Sequence, residues 1–266
     1  MITIKELNNI ENVLDLLSEQ PFVDTIKRNR ASFLYRGLSN NNYHLETSLH
    51  RNCKGKEIQI EKSLLRNFTK YAATDAPELK TSIWQQLIIG QHHGLPTRLM
   101  DWTYSPLVGL NFATCVANLS DMSENDGVLW KIDISEINNL LPNKYKEMLN
   151  KENAYLFTVD MLKELDLDLD RYDIDMSNKS FVLLEPPSID QRIINQYSYF
   201  SVVPMGINNF ELFLDQYTQN SVKYIINKDL KWRIRDMLDQ LNINERTMYP
   251  GLDGLSSWLK RHYYVK

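Results

Sequence analysis

The chain has 266 residues, 43% hydrophobic and 24% charged, enough to bury a sizeable core in one large domain or two small ones. A formal charge of −4 and a pI near 5.8 exclude a general basic field that would draw in nucleic acid, while leaving room for a local basic groove. No apolar run approaches the roughly 18–20 residues that span a bilayer, and MITIKELNNIENVLDLLSEQ does not read as a signal peptide, so a cytoplasmic chain without membrane contact is expected.

In chain order, residues 5–18 place Leu7, Ile10, Val13, Leu14 and Leu17 on one helical face. SFLYRG (32–37) alternates as a short strand ending at Gly37. Residues 57–73 predict a helix with Leu64, Phe68, Tyr71 and Ala72 along one side, and SIWQQLIIGQHHG (82–94) a further helix stopped by Gly90 or Gly94. Ser105 is a good N-cap, and Pro106 falls where its missing N–H costs nothing. Val108, Phe112, Cys115 and Leu119 would then form that helix's buried stripe. Cys115 serves there as core filler, and with only Cys53 besides it there is neither a disulfide framework nor a zinc quartet.

Asp126-Gly127 turns into VLWKIDI (128–134), in which Val128, Trp130, Ile132 and Ile134 alternate against Leu129, Lys131 and Asp133. Residues 136–178 are polar and acidic with short helical pieces, an expected insertion or lid, and the charge run KELDLDLDRYDID (163–175) predicts a solvated face. SFVLLEPP (180–187) and YFSVVP (199–204) are further strands. VKYIINKDLKWRIRDMLDQL (222–241) predicts strand, polar turn and helix, with Leu230, Ile234, Leu238 and Leu241 inward. No repeat or linker divides the chain, so a single domain over 1–266 is expected, with 211–266 closing it as a strand and helical cap. Strands and helices mix without regular βαβ alternation, which predicts an α+β fold.

Three segments concentrate polar side chains at the ends of these elements: YRG (35–37), QHHGLPTRLMDWTYSP (91–106) and EPPSIDQRIINQYSYF (185–200). A turn needing only shape is served by Gly94 and Pro96. Gln91, His92, Arg98, Asp101 and Thr103 together point to a polar cleft where a strand meets a helix. The competing explanation is a network that merely holds the turn.

These segments resemble the FRG domain family, named for its Phe-Arg-Gly motif. Its pattern of aromatic-Arg-Gly, then Gln-His-x-Gly-x-Pro-Thr-Arg-Leu-Leu-Asp-Trp-Thr-x-Ser-Pro, corresponds to Tyr35-Arg36-Gly37 and residues 91–106. Later parts correspond to Arg192-Ile193 through Gln196 and Phe200, to Lys228 and Lys231, and to Pro250 through Leu255. The departures are Tyr35 for Phe and Met100 for Leu. The resemblance runs from about residue 30 to 260, with a core at about 30–210 and the acidic insertion at about 136–178.

The order of motifs is similar, more loosely, to the ADP-ribosyltransferase-like fold, which implies mixed sheets around a cleft that holds NAD as substrate, without a metal. On that resemblance the catalytic set is Arg36, Asp101, Thr103 and Gln196. Arg36 would grip a pyrophosphate through its planar fork, and Thr103 and Ser105 would bond ribose or the nicotinamide amide. Trp102 or Tyr104 would stack on nicotinamide, and Gln196 would stand where the transferases place their final Glu or Gln. His92, Thr97, Arg98 and Arg192 complete the implied ligand contacts. QRIINQ offers only amides and an arginine, so Asp101 or Glu185 would have to steady the ribosyl cation; otherwise the site binds a nucleotide without turnover.

Structural roles compete at each position. Arg36 can pair with Asp101 as a staple, Thr103 and Ser105 can cap the next helix, and Trp102 can plug the core. Arg98 can bridge turn carbonyls, His92 can make a structural hydrogen bond, His93 can be a surface residue, and Arg192 and Gln196 can join a polar network. Adjacent histidines do not readily face one metal, and zincin spacing is absent. The resemblance implies an intracellular ADP-ribosyltransferase-like toxin or anti-phage effector, with a nucleic acid or protein acceptor and a neutralising antitoxin. The alternative is a non-catalytic sensor or adaptor that binds a nucleotide or nucleic acid.

Overall fold

The computed structural model describes residues 1–265 apart from 31, 75–78, 80, 81, 166 and 167. The chain begins β1 (Thr3–Leu7), α1 (Ile10–Ser18), β2 (Phe22–Val23), β3 (Arg28–Asn29), β4 (Phe33–Leu38), α2 (Ser48–Cys53), α3 (Glu57–Tyr71) and α4 (Ile83–His92). It continues through β5 (Leu99–Thr103), α5 (Pro106–Ala113), β6 (Gly127–Asp133), α6 (Ile134–Leu140), α7 (Asn143–Lys151), α8 (Val159–Glu164), α9 (Leu169–Met176) and β7 (Val182–Leu184). The last third holds α10 (Gln191–Asn195), β8 (Ser198–Val202), α11 (Phe210–Tyr217), β9 (Val222–Ile226), α12 (Lys231–Gln240), α13 (Glu245–Met248) and α14 (Leu252–His262). The α+β expectation holds.

Seven strands form one mixed sheet in the order β1-β9-β6-β4-β5-β8-β7, with β1 parallel to β9 and the other pairs antiparallel. Alternation along the strands sorts the core by face. Leu34, Met100, Trp102, Trp130, Ile132 and Leu183 pack one face against α6 and α11. The opposite face is divided. Tyr35, Leu129, Tyr224 and Ile226 meet α1, α5 and α12, whereas Leu99, Leu184, Phe200 and Val202 meet helices of the α3–α4 and α7–α9 regions.

The division falls between β4 and β5. These strands share a single register pair, Tyr35 with Thr103, where β4 and β6 share six and β5 and β8 five. Elsewhere along their length the two strands part, and a cleft opens at this seam within one sheet rather than between two separate sheets.

Packing overrode local pattern in several places. Residues 3–7 pair with β9 as a strand, so the helix expected over 5–18 starts only after the Asn9 cap and turns Val13 and Leu16 inward, leaving Leu14 exposed. On α3 the buried residues are Glu61 and Leu65, and Tyr71 is exposed. Gly90 lies inside α4, which stops just before Gly94 with its positive φ. The helix after Ser105 ends at Ala113, so Cys115 is exposed rather than filler, and Leu241 likewise lies outside the core. β6 is buried on both faces because layers cover each side. In the run expected as a solvated face, of which 166 and 167 lie outside the described residues, Leu169 and Tyr172 are buried, Asp173 pairs with Arg98, and Asp175 with Lys144 and Arg171.

Gly37 owes its place to close approach. A Cβ there would stand 2.1 Å from the Gly109 carbonyl oxygen and 2.4 Å from the Ala113 nitrogen, so α5 lies directly on β4. The residue is packed rather than a flexible joint. Gly37→Ala is expected to push α5 off the sheet and to destabilise the fold by about 1–3 kcal/mol, read as a lower urea midpoint.

Lys131, on the same strand layer, is buried and donates to Glu19, which also receives Lys5 and the Tyr224 hydroxyl. Burial alone would raise the Glu19 pKa, but these three donors overcome it and bring it down to about 2. The folded value lies below the unfolded one, so this stabilisation is complete above about pH 4.5 and fades as the pH falls towards 2. Glu19 is partly solvated, so its share is roughly 1 kcal/mol. Glu19→Gln is expected to flatten the acid limb of a stability–pH curve by that amount.

Candidate functional site

The seam cleft encloses about 250 Å³ and is lined by Arg36 and Gly37 of β4, Gln91 of α4, Asp101 and Thr103 of β5, and Arg192, Gln196 and Ser198, with Tyr35, Trp102 and Phe112 completing it. Three segments far apart in sequence therefore meet. Side-chain caps fix the start of two of the helices that carry them. Ser82 caps α4, which carries Gln91 on its last turn, and Asp190 caps α10, which carries Arg192.

Arg36 reaches across the seam. Its Nη1 donates to the Asp101 carbonyl oxygen at 2.6 Å, with the Asp101 carboxylate more distant at 3.5 Å. Among the described residues no other partner meets this guanidinium, and its Nε is buried without one. Burial pulls its pKa below the ordinary value, with Asp101 opposing and Arg51 adding to the shift. The Asp101 carboxylate, about half exposed, accepts from Gln91 Nε2 at 2.8 Å. The Gln91 carbonyl in turn accepts from the Thr97 hydroxyl at 2.7 Å, which itself accepts from the Leu99 N–H. A fixed relay thus runs from the turn at Thr97 to the acid at the cleft.

The other arginine, Arg192, has no carboxylate within ion-pair distance among the described residues; its guanidinium lies 5.1 Å from the centre of the Tyr249 ring. Two cations, two amides and one carboxylate face one small hollow. That set suits an anion with hydroxyl or amide groups attached. No cluster of three His, Cys, Asp or Glu side chains that could hold a metal occurs among the described residues.

Residues 31–122 match the model of the FRG domain family. The chain carries an FRG domain. No curated protein and no solved structure matches the chain significantly. The FRG match supplies Arg36, Gln91, Asp101 and Thr103, whereas Arg192, Gln196 and Ser198 join the cleft from beyond it.

Several residues expected at the ligand have other employment in the FRG domain. Arg98 is buried, bidentate to Glu61 at 2.8 and 2.5 Å and bonded to Asp173 at 2.7 Å. Burial would lower its pKa, but these carboxylates raise it above the ordinary value. It bridges α3, β5 and α9 and lies outside the cleft. Thr97 is fully buried beneath the turn. Trp102 sends its ring into the core against Phe210 and donates to Ser201 at 3.0 Å, which rules out a stacking platform in the cleft.

Tyr104 sits outside the cleft, 6.4 Å from Tyr199 between ring centres, and Ser105 caps α5 through the Val108 N–H. His92 bonds Asp190 at 2.6 Å and fastens α4 to the start of α10. Burial lowers its pKa despite Asp190, and Arg192 and His93 add to that shift. Thr103 donates to the Gln196 carbonyl at 2.7 Å, and Gln196 Nε2 donates to the Met248 carbonyl at 3.0 Å. Both line the cleft while holding its frame. Glu185 is exposed and does not line it. Gln91, Ser198 and Tyr249 were not singled out for ligand roles from the sequence. Gln91 stood beside the histidines in the polar run, whereas nothing in Tyr249's surroundings signals a neighbour 57 residues away.

Proposed function

We propose that the FRG cleft binds the phosphorylated part of a nucleotide and that the protein is an ADP-ribosyltransferase using NAD as substrate. One observation carries the reading: at the cleft Arg36 is left under-bonded, with its Nε buried and unpartnered. Arg235, whose Nε is likewise unpartnered, is paired with Glu245 away from the cleft, and two other buried arginines are saturated. Arg98 engages two carboxylates through three nitrogens, and Arg261 engages Asp239 and Glu245 in the same way. A buried donor without a partner costs about 1–3 kcal/mol, and phosphate oxygens would recover it.

Arg36 and Arg192 then hold the phosphates. Asp101, oriented by Gln91, stabilises the positive charge that grows on the ribose as the bond to nicotinamide breaks. The bonding pair leaves with nicotinamide, and an acceptor nucleophile on nucleic acid or protein attacks the anomeric carbon and gives up a proton. Such an effector would act inside the cell as a toxin or anti-phage device alongside a neutralising antitoxin. No helix among the described residues is long and apolar enough to cross a membrane.

The second reading is a nucleotide-binding module without turnover. Asp101 already accepts from Gln91 and Arg36, and the Gln196 amide is tied to Met248, which favours a rigid receptor. Incubation with NAD separates the two. The enzyme releases nicotinamide, and Asp101→Asn slows release about 100-fold or more. The receptor shows NAD-dependent thermal stabilisation, no nicotinamide, and little response to Asp101→Asn. Neither signal at millimolar NAD would sink both.

A further inference from the structure

Resting on that reading, we infer that a second pocket, behind Tyr249, takes the nucleoside half of a dinucleotide whose phosphates lie on Arg36 and Arg192. This pocket holds about 390 Å³, with Val116, Ala117 and Leu119 on one side and Tyr249 with the α14 residues Asp253 and Ser257 on the other. Two features join it to the cleft. Tyr249 lines the pocket and packs its ring on Arg192, which lines the cleft. Phe112 lines the cleft, and Cys115, three residues on, lines the pocket. One aromatic ring and one turn of chain separate the two hollows.

Size argues in the same direction. Pockets for small molecules and cofactors run from roughly 300 to 1,000 Å³, so the cleft alone, at about 250 Å³, is small for a dinucleotide, and the second pocket, at about 390 Å³, adds the missing room. The chemistry divides likewise. The cleft carries Arg36, Arg192 and two amides, whereas the pocket, beside Lys260 and the Arg261–Glu245 ion pair, offers apolar walls and a ring on which a base can stack. Along α14, Asp253, Ser257 and Lys260 are spaced by four and three residues, which puts them on one side of the helix. None of the three side chains has a hydrogen-bond or ion-pair partner among the described residues. A carboxylate beside an apolar slot is the pairing that a ribose diol and its base demand.

The test compares dissociation constants for NADH and for reduced nicotinamide mononucleotide, whose uncharged dihydronicotinamide is a poor leaving group. Wild type is expected to bind NADH at least tenfold more tightly than the mononucleotide. Ser257→Trp, at an exposed position on the pocket wall, is expected to erase that advantage while changing mononucleotide affinity less than twofold, which also shows that the variant is folded. Asp253→Ala should remove part of the same advantage. Equal affinities in wild type, or an advantage that survives Ser257→Trp, would overturn the second pocket and leave the cleft reading standing, provided that Arg36→Ala still weakens the mononucleotide. Binding of neither ligand would end the cleft reading and this inference with it.

Discussion

Arg36→Ala is expected to weaken nucleotide binding about 10–100-fold and to abolish nicotinamide release and any growth inhibition on expression. The magnitude follows from losing charge-assisted hydrogen bonds worth about 1.5–3 kcal/mol, where each 1.4 kcal/mol is tenfold. The unliganded fold should suffer far less. Arg36 makes one strong bond, to the Asp101 carbonyl, and removing it leaves that oxygen beside an open cleft where water can replace the donor. A stability change of about 1 kcal/mol is therefore expected by urea denaturation. Arg36→Lys keeps the charge and loses the fork, so it should restore only part of the binding. Wild-type affinity in Arg36→Ala, together with a large loss of stability, would reduce Arg36 to a staple across the seam.

Arg98→Ala should show the opposite pattern. Glu61 is about 4% exposed and Arg98 about 3%, so truncating the arginine strands one carboxylate in the interior and leaves Asp173 without its cation. Breaking a buried pair in this way costs about 3–5 kcal/mol, roughly 10 °C in melting temperature for a chain of this size. Ligand affinity of the molecules that remain folded should be unchanged, because Arg98 lies outside the cleft. The double variant Glu61→Leu with Arg98→Met, which removes both charges, is expected to recover much of the loss. An Arg98→Ala protein of ordinary stability that fails to bind nucleotide would reverse the assignment. The two arginines stand in similarly polar motifs, so this pair of variants separates binding from bracing more cleanly than either alone.

Element type was largely readable from local pattern. The Ser105 cap with Pro106 behind it, the Asp126-Gly127 entry to β6 and the strand–turn–helix passage of residues 222–241 formed where expected, because caps, turns and alternation act over a few residues. Misreadings arose where a distant partner decides. Residues 5–7 fall in the helical period of 5–18 but join the strand Thr3–Leu7 because β9 offers it a parallel edge. Glu61 is buried at the position an apolar stripe would claim because Arg98 waits opposite it.

The candidate site divides along the same line. By itself the sequence determined that residues 91–106 hold more hydrogen-bonding side chains than a turn requires, and a family resemblance grouped Arg36, Arg192 and Gln196 with them. Which of those groups face a hollow, and which brace it, was decided only by the tertiary structure. Arg36 and Arg98 are the same residue type in motifs of similar polarity, and their difference is the number of carboxylates that folding delivers to each. Local propensity cannot carry that information, since Glu61, Asp101 and Asp173 come from three separate elements and are brought into place only when the two halves of the sheet pack around their seam.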